Sequence, residues 1–361
     1  MIKILDLYVI RQFVSTLLFS LFALCIIFIV VNLLESLDNF LDQHATFLII
    51  AKYYIYYLPE ILKILTPVAV LLSTLFSIGR LSTQNEITAM KTGGMSLYRL
   101  IAPLLVFGIM LSVFQVYFNG WIVPKANTEK YDIERKYLHK SIGTGPINNL
   151  FFRDTPTRNI LMQYYDADRK TGTDVSIEEY SSELTPRLLQ RIEAKSIAWD
   201  TILSTWNLSI GVTRTYSGNN VINDKFSTKN INLNITHDRI TQLKRMTEEM
   251  SFDELWDYIV MLNNGGRDTR RQVIDYYGNY AFPFANFIVI MFAVPFASVR
   301  RKGGLAVQVA AAMGITFFYL VFTKLSQTVA YTLELEPILS GWTANIIFFI
   351  AGLIVLFKTR T

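Results

Sequence analysis

Apolar positions fall into two blocks of long, nearly uninterrupted runs. Between them lies a polar middle in which apolar and polar residues alternate. Six runs, residues 13–34, 54–79, 100–122, 280–299, 305–330 and 342–357, approach or reach the roughly 20 residues that cross a bilayer as a helix. A soluble fold would have to bury such helices on every side, in a chain too short for so large a core. The pattern predicts a membrane α-helical protein with six transmembrane helices, three before and three after the middle.

From residue 124 to about 234 the period changes to that of strands. Residues 159–165, 188–197 and 205–213 read as strands, and 166–174 and 217–220 as turns. Such spacing suits a sandwich, roll or open barrel. After it, Ser251-Phe-Asp-Glu254 has the spacing of a capping box. Phe252, Leu255, Trp256 and Ile259 then fall on one helical face. This amphipathic helix could lie on the outer membrane surface or pack against the β domain. The expected divisions are 1–123 for the first three spans, 124–250 for the β domain, 251–279 for the connecting helix and 280–361 for the last three spans.

Composition agrees: of 361 residues, 52% are hydrophobic and only 17% charged. The net charge is +5, but the basic residues flank the spans rather than line one soluble face, which argues against a nucleic-acid partner. Lys3, Arg11, Arg80, Lys91, Arg99, Arg300, Arg301, Lys302, Lys358 and Arg360 sit on one side. Glu35, Asp38, Asp42, Glu334 and Glu336 sit on the other, with Lys52. Lys and Arg stay in the cytoplasm on insertion, so both termini are expected inside and the middle domain outside. No cleavage site follows the first apolar run, which reads as an uncleaved helix. Cys25 is the one cysteine, and His44, His139 and His237 are widely spaced; neither a metal centre nor a nucleophile with its base is expected. With no G-x-x-x-x-G-K-[ST] loop, no nucleotide site is expected in this chain.

The loop Arg80-Leu-Ser-Thr-Gln-Asn-Glu-Ile-Thr-Ala-Met-Lys-Thr-Gly-Gly94 carries the most information. Ser82 or Thr83 could cap a short helix, near 82–93, that stops at Gly93 and Gly94. Leu81, Ile87 and Met90 would form its apolar side, with Glu86 and Lys91 near the edge. Two readings fit: a helix that receives force from a separate motor, and an interfacial helix resting on headgroups.

The pattern Gly79-Arg80-Leu81-Ser82, Asn85-Glu86-Ile87, Ala89-Met90-Lys91 and Gly93 resembles the coupling-helix signature of the lipopolysaccharide-export permeases, the LptF/LptG family. The similarity continues, in order and spacing, through Ser251-Phe-Asp-Glu-Leu255, Phe282-Pro-Phe-Ala285, Ala293-Val-Pro295, Arg300-Arg-Lys-Gly303 and Gly341-Trp-Thr-Ala-Asn345. It departs at Ala344, where the family often has proline, and at 277–280, which lacks the usual basic pair. Asn32, Glu35 and Asp38 stand where one branch has lysines.

The resemblance implies a permease subunit of the bacterial inner membrane, without catalysis of its own, whose inserted domain is a periplasmic β-jellyroll-like domain. It implies a second homologous permease subunit and a cytoplasmic ABC ATPase dimer that binds ATP and magnesium. Lipopolysaccharide would leave the membrane and pass through the β domain to periplasmic jellyroll bridge proteins. The implied coupling residues are Asn85, Glu86, Ile87, Ala89, Met90, Lys91 and Gly93. Glu86 would pair with a motor arginine; as a merely exposed carboxylate it would be worth under about 1 kcal/mol. Lys63, roughly 13 Å into span two at 1.5 Å per residue, must face a cavity, snorkel or pair. A phosphorylated headgroup and an intrahelical pair with Glu60 both fit. Lys324 in span five meets substrate or snorkels. A membrane-anchored periplasmic adaptor and a stand-alone lipid flippase are the competing readings.

Overall fold

The structure, a computed structural model, describes all residues except 1–3, 139–146, 184, 218–219, 243–244, 265–267, 299–303, 334 and 359–361. The basic run at 300–302, with Lys3, Arg360, His139, Glu334 and the tip of the 217–220 turn, lies outside the described residues. The chain divides into two compact units, Met1–His139 with Arg270–Thr361, and Lys140–Thr269.

The first unit begins with α1 (Ile4–Asp42), α2 (Phe47–Thr83), the short α3 (Glu86–Thr92) and α4 (Leu97–Tyr117). A π-helical turn, Phe118–Ile122, carries α4 into α5 (Val123–Tyr137) without a break. The second unit holds strands β1 (Ile147–Thr155), β2 (Arg158–Asp166), β3 (Thr171–Tyr180), β4 (Leu188–Asp200), β5 (Thr205–Ser217) and β6 (Asn220–Ile231). Helices α6 (His237–Gln242) and α7 (Phe252–Asn264) follow in the same unit. The first unit resumes with α8 (Arg270–Ala281), a 3₁₀ turn at Phe282–Phe284, α9 (Ala285–Ser298), α10 (Gly304–Thr332) and α11 (Pro337–Lys358).

Among the described residues, five helical segments are long and apolar enough to cross a membrane: Ile4–Asp42, Phe47–Thr83, Tyr98–Tyr137, Arg270–Pro295 and Pro337–Lys358. These fall on five of the six expected spans, and α10, 29 residues long, stands where the remaining one was expected. Small residues let the helices approach closely. A Cβ on Gly108 of α4 would sit 2.7 Å from the Ile290 side chain of α9, and one on Gly341 of α11 would sit 2.9 Å from the Gly278 nitrogen of α8. The α1, α2, α4 and α9 faces share a core that includes Phe13, Leu75, Ile78, Leu104 and Ile290.

Two boundaries differ from the sequence expectation. The β unit starts at 140 rather than 124, because α5 has no breaker after Pro124, which sits in the first turn where proline is tolerated. The expected connecting helix 251–279 is two helices, α7 and α8, with the unit boundary between them. The Ser251–Glu254 capping box is present: Glu254 N donates to Ser251 Oγ at 3.3 Å, and Ser251 N to Glu254 Oε2 at 2.9 Å. The buried ridge of α7 is Phe252, Leu255, Ile259 and Leu262, and Trp256 lies exposed beside it.

The six strands form one antiparallel sheet in chain order, a meander rather than the crossed connections of a jellyroll. Every ladder leaves one row unpaired, and it is the same row throughout: Asn149, Gln163, Asp174, Lys195, Ile210 and Ser227. On β1, β3 and β5 the residue there has a positive φ: 51° at Asn149, 50° at Asp174 and 51° at Ile210. The inward positions slip by one residue at the same place. Ile160 and Met162 give way to Tyr165, Ile192 and Ala194 to Ile197, and Leu208 to Thr213. The row is a crease that folds one sheet into two halves while apolar side chains of both halves stay inward. Gly211, next to the crease, has no room for a Cβ, which would lie 2.3 Å from the Glu193 carbonyl oxygen and 2.4 Å from the Phe226 ring.

Residues 232–240, following β6, close over the inward face. Ile235 and Ile240 join Leu150, Met162, Ile177, Ile192, Trp206 and Leu208 in its core. There the Tyr165 hydroxyl and His237 Nδ1 share a hydrogen bond of 2.7 Å. Burial, seconded by Lys170, holds the His237 pKa below its ordinary 6.5, with Asp238 opposing. Burial pushes the Tyr165 phenol above its usual value.

Gly211→Ala should destabilise the β unit by about 2 kcal/mol or more, because the clash is with backbone as well as a ring; hydrogen exchange across 188–231 reads the loss. With the folded His237 pKa depressed, the unfolded chain takes up its proton first. Stability is therefore complete above about pH 6.5 and declines as pH falls toward the folded pKa. Protection of peptides covering 150–165 and 205–213 should fall between pH 7.5 and 5.5, and His237→Asn should remove that part of the pH dependence.

Candidate functional site

The loop after α2 builds its short helix differently from the expected cap. Thr83 Oγ1 donates to the Gly79 carbonyl oxygen at 2.7 Å, so α2 runs on through Thr83. Asn85, with φ 60°, makes the break, and asparagine enters the left-handed region at lower cost than most residues. The far end is as expected: Gly94 takes φ 83°, Met95 N donates to Met90 O and Gly94 N to Lys91 O, both at 3.0 Å. These two bonds are the Schellman pair that satisfies the last carbonyls of a helix.

This seven-residue helix buries Ile87 against the α1/α2/α4 core, with Met90 packed beside it. Its other face is open. Ala89 and Gly93 are exposed, Lys91 points outward, and the Tyr8 hydroxyl of α1 donates to Glu86 Oε1 at 3.4 Å. Leu5, Glu86, Ala89, Met90, Gly93 and Met95 line a groove of about 430 Å³. Beside it Arg99 of α4 donates to Asp6 of α1 at 2.7 Å, tying those two helices together. The arrangement is an apolar groove with one carboxylate on its wall, on a short helix capped at its C-terminal end.

The second set of candidates lies along α2. The expected Glu60–Lys63 pairing is replaced by partners distant in sequence. Glu60 accepts from Lys130 of α5, whose ammonium also sits 4.8 Å from the Tyr57 ring centroid and 4.1 Å from that of Tyr131. Lys130 is 5% exposed and Glu60 21%, so this pair is largely desolvated. Tyr53 donates to the buried Glu134 at 2.8 Å one turn away. Lys63 Nζ reaches Asn279 of α8 at 3.4 Å. Lys324 is exposed on α10 and, among the described residues, makes no ion pair.

Pro67 removes the N–H that would close on the Lys63 carbonyl, and Gln115 of α4 supplies one instead, its Nε2 donating to Lys63 O at 3.0 Å. Asn286 of α9 donates in turn to Gln115 Oε1. The 3₁₀ turn at Phe282–Phe284 sends the Ala285 N–H to Phe282 O, and Asn345 of α11 donates to the neighbouring Ala281 O at 2.6 Å. Tyr319 of α10 donates to Asn345 Oδ1. Sequence reading missed Gln115, Lys130, Asn286 and Asn345. For Gln115, Asn286 and Asn345 the available signal was polarity inside apolar runs, which marks residues facing a bundle interior; Lys130 lies in the polar α5, where no such contrast marks it. No group of three or more metal-ligating side chains occurs among the described residues.

Residues 7–358 match the family described as lipopolysaccharide export system permease LptF/LptG. The lipopolysaccharide export system permease protein LptG of Escherichia coli strain K12 is 19% identical over 367 residues, 98% of each chain. Its LptF counterpart in the same strain is 19% identical over 351 residues, 96% of this chain and 93% of that one. LptG of Haemophilus influenzae is 20% identical over 277 residues, 75% of each chain.

Removing one member of the Lys130–Glu60 pair strands a buried charge. Lys130→Met alone should lower stability by about 3 kcal/mol or more, and Lys130→Met with Glu60→Leu by much less. Thermal unfolding of the full chain in one mild detergent compares the two.

Proposed function

The chain belongs to the LptF/LptG family of lipopolysaccharide export permeases, and from that premise we propose that it transmits the work of a separate ATPase to lipid. It is a membrane protein and a transporter permease, not an enzyme. In the proposed assembly it pairs with a second permease of its family and with a cytoplasmic ABC ATPase dimer that holds ATP and magnesium. Three helices before and three after the β unit span the inner membrane, with both termini cytoplasmic and the β unit periplasmic. Lipopolysaccharide leaves the bilayer, and its acyl chains pass along the apolar inward face of the creased sheet toward periplasmic bridge proteins.

The observation that carries the coupling step is the geometry of α3. Seven residues, set off by the turn at Asn85, closed at their C-terminal end by the Schellman pair and seated on Ile87, present Glu86 beside an apolar groove. A force-bearing contact needs a rigid element, an apolar seat and a directional anchor, and this helix offers all three. Glu86 anchors by a charge-assisted hydrogen bond to an arginine of the motor; Asn85, Ala89, Met90, Lys91 and Gly93 complete the surface. Lys63 and Glu60 lie on the polar seam along α2 and face the substrate path. Lys324, exposed on α10, meets lipid headgroups at the rim.

Glu86→Ala removes a contact worth about 1.5–3 kcal/mol, so motor affinity should fall by roughly 10- to 100-fold. The chain is purified with its natural neighbours, and the copurifying ATPase and its lipopolysaccharide-stimulated turnover are measured. Loss of either in the variant supports the coupling reading. Absence of any ATPase from the folded native chain overturns it in favour of the adaptor or flippase.

A further inference from the structure

The crease and the segment that closes over it belong to one device. The unpaired row Asn149, Gln163, Asp174, Lys195, Ile210 and Ser227 crosses the whole sheet, so no interstrand pairing has to break for the two halves to pivot about it. What holds the halves together on the inward side is residues 232–237. One half supplies Arg158 Nη1, which donates to Asn232 O at 3.4 Å, and Asp154. The Asp154 carbonyl accepts from Asn234 Nδ2 at 3.1 Å, and its carboxylate accepts from Ile235 N at 3.0 Å. The other half supplies Trp206, whose Nε1 donates to Ile235 O at 2.7 Å, and Tyr165, bonded to His237. Ile235 is thus held by its N–H to one half and by its carbonyl to the other.

We propose that the β unit is a clasp, hinged at the crease and latched by residues 232–240, whose apolar interior admits a lipid acyl chain only when the latch lets go. The proposal rests on the permease reading and adds the regulation of its conduit. The latch places Ile235 and Ile240 in the space an acyl chain would fill, among Met162, Ile177, Ile192, Trp206 and Leu208. An occupant that replaces two isoleucines there must be apolar. The Trp206 N–H and Tyr165 hydroxyl, released with the latch, are donors suited to the ester and amide carbonyls at the head of acyl chains. The clasp is released by loss of the Asp154 and Trp206 contacts, which single substitutions reach.

The test uses the full chain with its ATPase and sister permease in proteoliposomes containing lipopolysaccharide. A Cys25→Ala background carries Asp154→Cys with Asn234→Cys to lock the latch by oxidation. Phe152, already aromatic and inward, is replaced by benzoylphenylalanine to photo-capture lipid. Oxidation should cut the ATP-dependent lipopolysaccharide adduct at least tenfold and reduction should restore it. Separately, Asp154→Ala without the lock should raise the adduct formed in the absence of ATP several-fold. An adduct that is the same locked and reduced, with no change in Asp154→Ala, overturns the clasp and leaves the permease reading intact. No lipopolysaccharide adduct even in the reduced, ATP-supplied protein overturns both.

Discussion

Pro67 leaves the Lys63 carbonyl of α2 without its helical donor, in a medium that offers no water to replace it. The donor comes from Gln115 on α4, and Gln115 is itself held by Asn286 on α9. This obligation to pair every backbone group explains why three helices distant in sequence meet at one height. The same rule operates at the 3₁₀ turn before α9, where the neighbouring Ala281 carbonyl is met by Asn345 of α11 and, through it, by Tyr319 of α10. Between them, two irregular turns recruit α2, α4, α9, α10 and α11 into one bundle. Close approaches at Gly108 and Gly341 then finish the packing.

The bundle organises α2 as a strut. One end carries the Lys130–Glu60 pair and the Tyr53–Glu134 bond, the middle is pinned at Pro67 by Gln115, and the other end delivers α3. Displacing α3 therefore pushes on an element fixed to its neighbours at several heights, which suits a part that must convert a motor's motion into a change of shape elsewhere. The Asp6–Arg99 bridge and the Tyr8–Glu86 contact draw the start of α1 into the same end of the strut.

Much of this was legible in the residues, and the failures share a cause. Apolar run length placed the membrane helices, because crossing a bilayer is a demand on one segment at a time. Gly93 and Gly94 announced the stop of α3, since the left-handed cap needs glycine. Its start was misplaced because Thr83 uses its hydroxyl on its own helix. Glu60 and Lys63 looked like a pair at helical spacing, yet Glu60 is taken by Lys130, 70 residues away, and no local pattern encodes that. Alternation found β2, β4 and β5 in part; β1 and β3 escaped, the expected turn 166–174 giving its last four residues to β3, and β6 escaped because it is exposed on most of its positions. The crease was invisible from any one strand: a one-residue slip in alternation reads as noise until the ladders align six unpaired positions into one row.

In the proposed function this chain turns ATP hydrolysis by a partner into movement of lipopolysaccharide out of a membrane. The most direct test reconstitutes it with its sister permease and ATPase in vesicles containing lipopolysaccharide, and measures lipid transferred to a soluble β-rich acceptor. The account predicts transfer that needs ATP and this chain together and stops when either is left out. Transfer that proceeds equally without ATP, or with this chain omitted, would contradict it.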